Sequence, residues 1–144
     1  MQPTHDQAIW DTLRRHLTSI FNGDAQTYAE TTDSELSLYE WYITPHRQDG
    51  LEFHLCLVQE SVPPADHAVR FDVLEPRLQV YGDPTGEGLA VAIASYTLMV
   101  TRKTPAGITH RTHNESRVLV RRAGRWQVVH VHKSPAWPAP FAPS

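Results

Sequence analysis

The chain reads as a single α+β domain in which a curved antiparallel sheet wraps around an N-terminal helix. Three observations predict it. The first sixty or so residues carry apolar side chains mainly at helical spacing. Residues from about 68 to 133 form a run of long β-rich stretches. Glycine- and proline-containing breaks separate those stretches where hairpins are needed. Helices followed by antiparallel strands pack as one helical layer against one sheet face.

Each element has a local reason. In residues 5–22, Ile9, Leu13, Leu17, Ile20 and Phe21 recur at spacings of three and four, which predicts an amphipathic helix. Thr4 with Gln7 forms a capping-box pattern at its start. Asn22-Gly23 ends it, because glycine takes the left-handed cap without a Cβ penalty. Asp24 is placed to cap a second, short helix carrying Tyr28. Residues 35–42 (ELSLYEWY) alternate and are predicted as a strand. Residues 50–60 return to helical spacing, with Leu51, His54, Leu55 and Val58 on one face, and SVPPADH stops them. Strands are expected at 68–81, 88–103, 108–122 and 125–133. Residues 89–100 (LAVAIASYTLMV) are almost continuously apolar and predict a central strand buried on both faces. The domain therefore spans 5–135. The tail, 136–144, lies in a stretch too proline-rich to continue a sheet and is expected as an extended arm.

The hairpin at Arg122-Ala123-Gly124-Arg125 sets the register of the last two strands. A two-residue type I′ turn demands positive φ at Ala123, which alanine resists. A three-residue loop with Gly124 alone in the left-handed region avoids this and predicts a bulge. It pairs Arg117 with Val129 and His113 with Lys133. His113, Glu115, Arg117 and Lys133 then share one face. Val118, Val120, Trp126, Val128, His130 and His132 share the other.

Composition narrows the function. A net charge of −3 gives no basic excess for nucleic acid or anionic membrane. The N-terminal residues lack an apolar signal-like stretch, and no apolar run is long enough to span a bilayer, so a cytoplasmic protein is expected. There is no Gly-rich phosphate loop and no HRD or DFG triplet, so ATP binding is not expected. No basic amphipathic helix is present as a calmodulin target. Cys56, the one cysteine, sits between Leu55 and Leu57 and reads as a small core residue, not a nucleophile. His130 and His132 lie on one strand face but lack a close third ligand, so no metal and no cofactor are assigned.

The stretch ESRVLVRRAGRWQVVHVHKS, residues 115–134, resembles the terminal hairpin of the association (hub) domain of calcium/calmodulin-dependent protein kinase II. In order upstream stand further matching positions: Asn22-Gly23-Asp24 with Tyr28, Glu40, Gly50-Leu51-Glu52-Phe53-His54, Pro76, Gly82-Asp83 and Gly107-Ile108. The resemblance runs from about residue 5 to 135. It implies a nuclear transport factor 2-like (cystatin-like) cone that dimerises through its sheet and can build larger rings. It also implies a polar pocket for small carboxylates, lined by Tyr28, Glu40, His54, Arg117 and Lys133. Three positions depart from that family's pattern: Lys133 and Ser95 stand in place of arginines, and Trp41 in place of proline. Losing two guanidinium groups removes two bidentate forks for a carboxylate.

The expectation is a non-kinase self-association domain whose partners are itself, through Val118, Val120, Trp126, Val128 and His130, and a small carboxylate. The site residues are Tyr28, Glu40, His54, Glu115, Arg117 and Lys133. An isomerase or dehydratase of the ketosteroid-isomerase-like group is one alternative, with Glu40 or His54 as base and Tyr28 or Arg117 as donor. A pure scaffold is another. Residue by residue, Glu115 and Arg117 also read as a surface pair, and His54 as a core histidine.

Overall fold

The computed structural model describes residues 5–137. Thr4 of the expected capping box, and most of the proline-rich tail, lie outside them. The elements run α1 (His5–Asn22), α2 (Ala25–Glu30), β1 (Thr32–Glu40), β2 (Thr44–Asp49), α3 (Leu51–Gln59), β3 (Ala68–Gly82), β4 (Ala90–Thr104), β5 (Gly107–Arg122) and β6 (Arg125–Pro135). They form one six-stranded sheet in the order β2-β1-β6-β5-β4-β3. This is the expected α+β arrangement, with two differences. The sequence reading assigned no element to β2, whose residues TPHRQD contain a proline and few β-formers. At a sheet edge Pro45 is tolerated, since only one side of the strand must pair. And β1 runs parallel to β6, so the sheet is not purely antiparallel.

Local chemistry accounts for the helices. Asp24 accepts from the Thr27 amide at 3.1 Å and caps α2. Ile9, Leu13 and Leu17 of α1 are buried together with Leu36, Leu38, Leu98, Leu119 and Val128 of the sheet. Helix α3 buries His54 and Val58 and turns Cys56 outward, so the expectation of a core cysteine is corrected. Two residues along a helix is about 200° of rotation, so Cys56 stands opposite that buried face.

Bulges shape the sheet. In β3 the pairing slips between Leu74 and Arg77, where Glu75 takes φ 49° just before Pro76. This strand is an edge, where proline and a bulge can bend the sheet without breaking an inner ladder. Strand β4 buries Ala90, Ala92, Ala94, Tyr96, Leu98 and Val100, while the alternate residues Val91, Ile93, Ser95, Thr97 and Met99 are only half-buried. Burial on both faces, expected from its apolar run, is therefore not reached within one chain, because the helices cover only one face.

The β5–β6 hairpin corrects the expected register. Ala123 and Gly124 both have positive φ, 50° and 74°, and Arg122 pairs directly with Arg125. The loop thus has two residues, not three. Shifting a strand by one residue exchanges its faces. In the observed register Trp126 pairs with Arg121 and Val128 with Leu119, so both turn inward and are buried. Left-handed alanine costs about 1–2 kcal/mol. Burying two large apolar side chains returns about 1.5–3 kcal/mol each, so burial wins. The pairing then slips by one between Val118 and Leu119, and Val129 is the extra residue. After that bulge Val131 faces inward opposite Arg117, and Lys133 inward opposite Glu115.

Candidate functional site

The inner face of the sheet carries a chain of buried ions. Arg117 projects from β5 into the cone and is 1% exposed. Its Nε donates to Glu115 Oε1 at 3.1 Å and to the Tyr96 hydroxyl at 3.0 Å. Tyr96 in turn donates to Glu115 Oε1 at 2.7 Å. From β6, Lys133 Nζ donates to Glu40 Oε2 at 2.7 Å and lies 4.0 Å from Glu115 Oε2. His54, reaching in from α3, donates from Nε2 to Glu40 Oε1 at 3.0 Å. The ions thus alternate in sign: Glu40, Lys133, Glu115, Arg117. Two cations face two carboxylates, so the cluster balances itself.

Alternation and register place these groups. Glu115 and Arg117 are two apart on β5 and share its inner face. Lys133 joins them only because the Val129 bulge restores the inward phase of β6. Glu40 is brought alongside by the parallel pairing of β1 with β6, in which it lies opposite Lys133.

Arg117 also fixes the state of a residue that the sequence reading did not single out. Its Nη1 lies 2.8 Å from His16 Nε2. A guanidinium can only donate, so Nε2 must accept and the imidazole is neutral with its proton on Nδ1. That proton goes to Thr31 Oγ1 at 2.9 Å. Burial, then the charge of Arg117, push the His16 pKa well below its ordinary value. His16 follows Leu13 by three residues and precedes Ile20 by four, so it sits within the apolar stripe of α1. A histidine inside such a stripe was the available signal. Tyr96 had a weaker one, its position opposite Glu115, which needs the β4–β5 register.

The same balance of terms governs the other groups. Burial alone would raise the Glu40 and Glu115 carboxyls. Hydrogen bonding from His54 and the charge of Lys133 hold Glu40 well below the carboxylate range. Arg117 and then Lys133 do so for Glu115. Burial would lower Arg117 and Lys133, but their carboxylate neighbours hold both charged. Burial pushes the Tyr28 phenol up to about 12. Its ring is sandwiched between His16 and His54, at centroid distances of 4.6 and 5.2 Å. The Tyr28 hydroxyl and His54 Nδ1 are buried with no hydrogen-bond partner among the described residues.

All six residues named from the sequence are buried, Glu40, Glu115, Arg117 and Lys133 on the strands and Tyr28 and His54 on α2 and α3, and Glu115 with Arg117 is a buried pair, not a surface one. A cleft lies away from these residues, between α1 and β3. It has a volume of about 210 Å³ and is formed by Trp10, Leu13, Leu17, Phe71, Val73 and Pro76.

The residues expected at a dimer contact divide. Val118, Val120 and His130 lie half-buried on the outer face, His130 Nδ1 being 2.7 Å from Ser37 Oγ. Trp126 and Val128 belong to the core and leave that set. His132 is exposed on the outer face against Tyr39.

The chain is 24% identical over 138 residues to the rabbit (Oryctolagus cuniculus) calcium/calmodulin-dependent protein kinase type II subunit delta, matching 95% of its own length and 25% of the relative's. It thus spans about a quarter of that protein. Among solved structures, the hub homology domain of that kinase from Chlamydomonas reinhardtii superposes with a TM-score of 0.80 at 24% identity, covering 93% of this chain and 100% of that one. More distant likenesses show the fold alone. A nuclear transport factor 2-like protein from Cytophaga hutchinsonii gives a TM-score of 0.70 at 14% identity, covering 92% and 99% of the two chains. A putative ketosteroid isomerase from Shewanella frigidimarina gives 0.69 at 17%, covering 90% and 97%. The family model of the calcium/calmodulin-dependent protein kinase II association domain matches residues 5–137. Its cone, its bulged terminal hairpin and that match together make this chain a member of the calcium/calmodulin-dependent protein kinase II association domain family.

Proposed function

We propose that the chain is a self-associating domain whose copies meet through the outer face of the sheet. One observation carries this: the outer sides of β4 and β5 leave Val91, Ile93, Val118 and Val120 half-exposed, with no helical layer over them among the described residues. A contiguous apolar sheet face is an aggregation hazard unless covered, and a two-fold contact is the commonest cover. The mass in solution tests it. One chain is 16.3 kDa, and a species of that mass at micromolar concentration would overturn the proposal. Val118→Asp should dissociate the assembly while preserving the helical and strand signals.

The interior is read as a receptor for a small carboxylate, with Tyr28, Glu40, His54, Glu115, Arg117 and Lys133 as its residues. Tyr28 and His54 offer unpartnered polar atoms. An entering carboxylate competes with Glu115 for Arg117 and with Glu40 for Lys133. Titration with acetate followed by calorimetry tests this, and Lys133→Arg should tighten binding because it restores a planar fork. The contact between Glu40 and His54 also supports a second reading, proton transfer from a bound ketone-like substrate by an oriented imidazole. Turnover that is lost in Glu40→Gln would favour the enzyme. A pure scaffold predicts neither binding nor turnover.

A further inference from the structure

His130 and His132 take no part in the buried cluster. Alternate residues of a strand point the same way, so both stand on the outer face of β6, about 7 Å apart along it. His132 is exposed and His130 half-buried. Tyr39 of β1 flanks both rings, its centroid 6.4 Å from that of His130 and 5.0 Å from that of His132. His130 Nδ1 lies 2.7 Å from Ser37 Oγ. When the Nδ1–H donates to that hydroxyl, Nε2 carries the free lone pair. Metal-binding imidazoles are commonly held this way, with the second ring nitrogen donating to an oxygen that fixes the ring.

Two imidazoles make half a site, because a closed zinc site takes four ligands. Among the described residues no third donor joins the pair in a metal-binding group. Arg47 of β2, whose charge reaches His130, is itself paired with Asp49 at 2.8 Å, so little uncompensated positive charge opposes a cation there. The missing ligands have a source in the fold. Strand β6 is the third of six, so the pair lies near the middle of the outer face. His130 pairs with Val118, at the border of the apolar patch. In a two-fold contact, a residue near the axis meets its own copy. A second chain on this face therefore brings a second His130 and His132 to the first, and four imidazole nitrogens suit a tetrahedral ion.

Resting on the self-association reading, we propose that His130 and His132 of two chains hold one Zn²⁺ or similar divalent transition-metal ion between them, at a site that neither chain completes alone. An ion that binds only the paired state draws chains into it by mass action. The outer face then has two parts: the valines and Ile93 cover apolar surface, and the histidines clamp the contact.

Titration of the tag-free full chain with Zn²⁺, followed by calorimetry and by mass in solution, tests this. One ion should bind per two chains. With free Zn²⁺ at about 100 times its Kd, the association constant of the chains should rise about a hundredfold. Co²⁺ in its place should give the visible absorption of a tetrahedral ion. His132→Ala, at an exposed position, should abolish all three effects while leaving the helical and strand signals unchanged, and His130→Ala should do the same. One ion per chain bound by the monomer, or zinc binding untouched by both substitutions, would overturn the shared site. Chains that pair without zinc and fail to bind it would also overturn the site, but leave self-association standing. A species of 16.3 kDa both with and without zinc would remove the self-association reading, and the metal site with it.

Discussion

The β5–β6 hairpin is two different structures joined end to end. Its tip half, from Leu119 to Val128, buries apolar side chains on the inner face: Leu119, Trp126 and Val128. Its root half buries Glu115, Arg117 and Lys133 on the same face. The strands are the same, and the bulge at Val129 separates the two halves. The tip is stabilised by removing hydrocarbon from water, a term that tolerates small errors of shape. The root depends on every charge having its partner, because an unpaired buried ion is far more costly than an absent one. The comparison teaches where stability and chemistry reside. The tip holds the fold, and the root holds a balanced set of ions at the molecule's interior.

Breaking the root should have the largest effect. Arg117→Ala leaves Glu115 buried without its main partner and should lower stability by about 3–5 kcal/mol in a urea titration. Adding Glu115→Ala should recover part of that loss, because no lone carboxylate remains. A single-variant loss under about 1 kcal/mol would mean the pair is solvated, as surface pairs are. Breaking the tip comes next. Leu119→Ala should destabilise by about 2–4 kcal/mol through lost burial and a residual cavity. It should leave ligand affinity at the root unchanged, and a change there would couple the two halves.

Acidity sharpens the contrast, since only the root titrates. His16 is neutral in the fold with its pKa depressed. The unfolded chain binds a proton at this residue below about 6.5 and the folded chain does not. Its contribution is therefore complete above about pH 6.5 and is lost as pH falls below it. The slope is about 1.4 kcal/mol per pH unit. Glu40 and Glu115, also depressed, add to the loss below the ordinary carboxylate range. Denaturation midpoints between pH 7 and 5 measure the first part, and His16→Gln, which keeps an acceptor for Arg117, should flatten it. A wild-type profile flat over that interval would mean His16 is not held neutral.

The smallest expected effect is at the loop of the hairpin. Ala123 has φ 50°. Ala123→Asn supplies a residue that tolerates this conformation and should stabilise by about 1 kcal/mol. Destabilisation by the same substitution would show that the loop is held by contacts that asparagine disrupts.

Much of the fold was legible, for identifiable reasons. The stripe Ile9-Leu13-Leu17 and the Asn22-Gly23-Asp24 boundary are local signals, and the helices formed where those signals lie. The long strands follow the same logic. The edge strand β2 was not legible, because its only strong preference is to pair with β1. Of the site, Tyr28, Glu40, His54, Glu115, Arg117 and Lys133 were named from sequence and His113 was placed on their face, whereas His16, Tyr96 and Tyr42 were not. The named ones follow from alternation, a helical face and a family pattern. His16 and Tyr96 join through contacts between elements far apart in the chain, and Tyr42 meets Glu40 two residues away just beyond the end of β1.

The amino-acid sequence by itself determined the helices, the long strands, the α+β class and the inward phase of Glu115 and Arg117, because these depend on residues a few positions apart. The tertiary structure decided which face Trp126 and Val128 occupy, how Lys133 returns inward beyond Val129, and that His16 completes the Arg117 cluster. A local preference of about 1–2 kcal/mol at Ala123 was overruled by the burial of side chains several residues away. Burial is a property of the packed sheet, and it exists only after the distant elements have met.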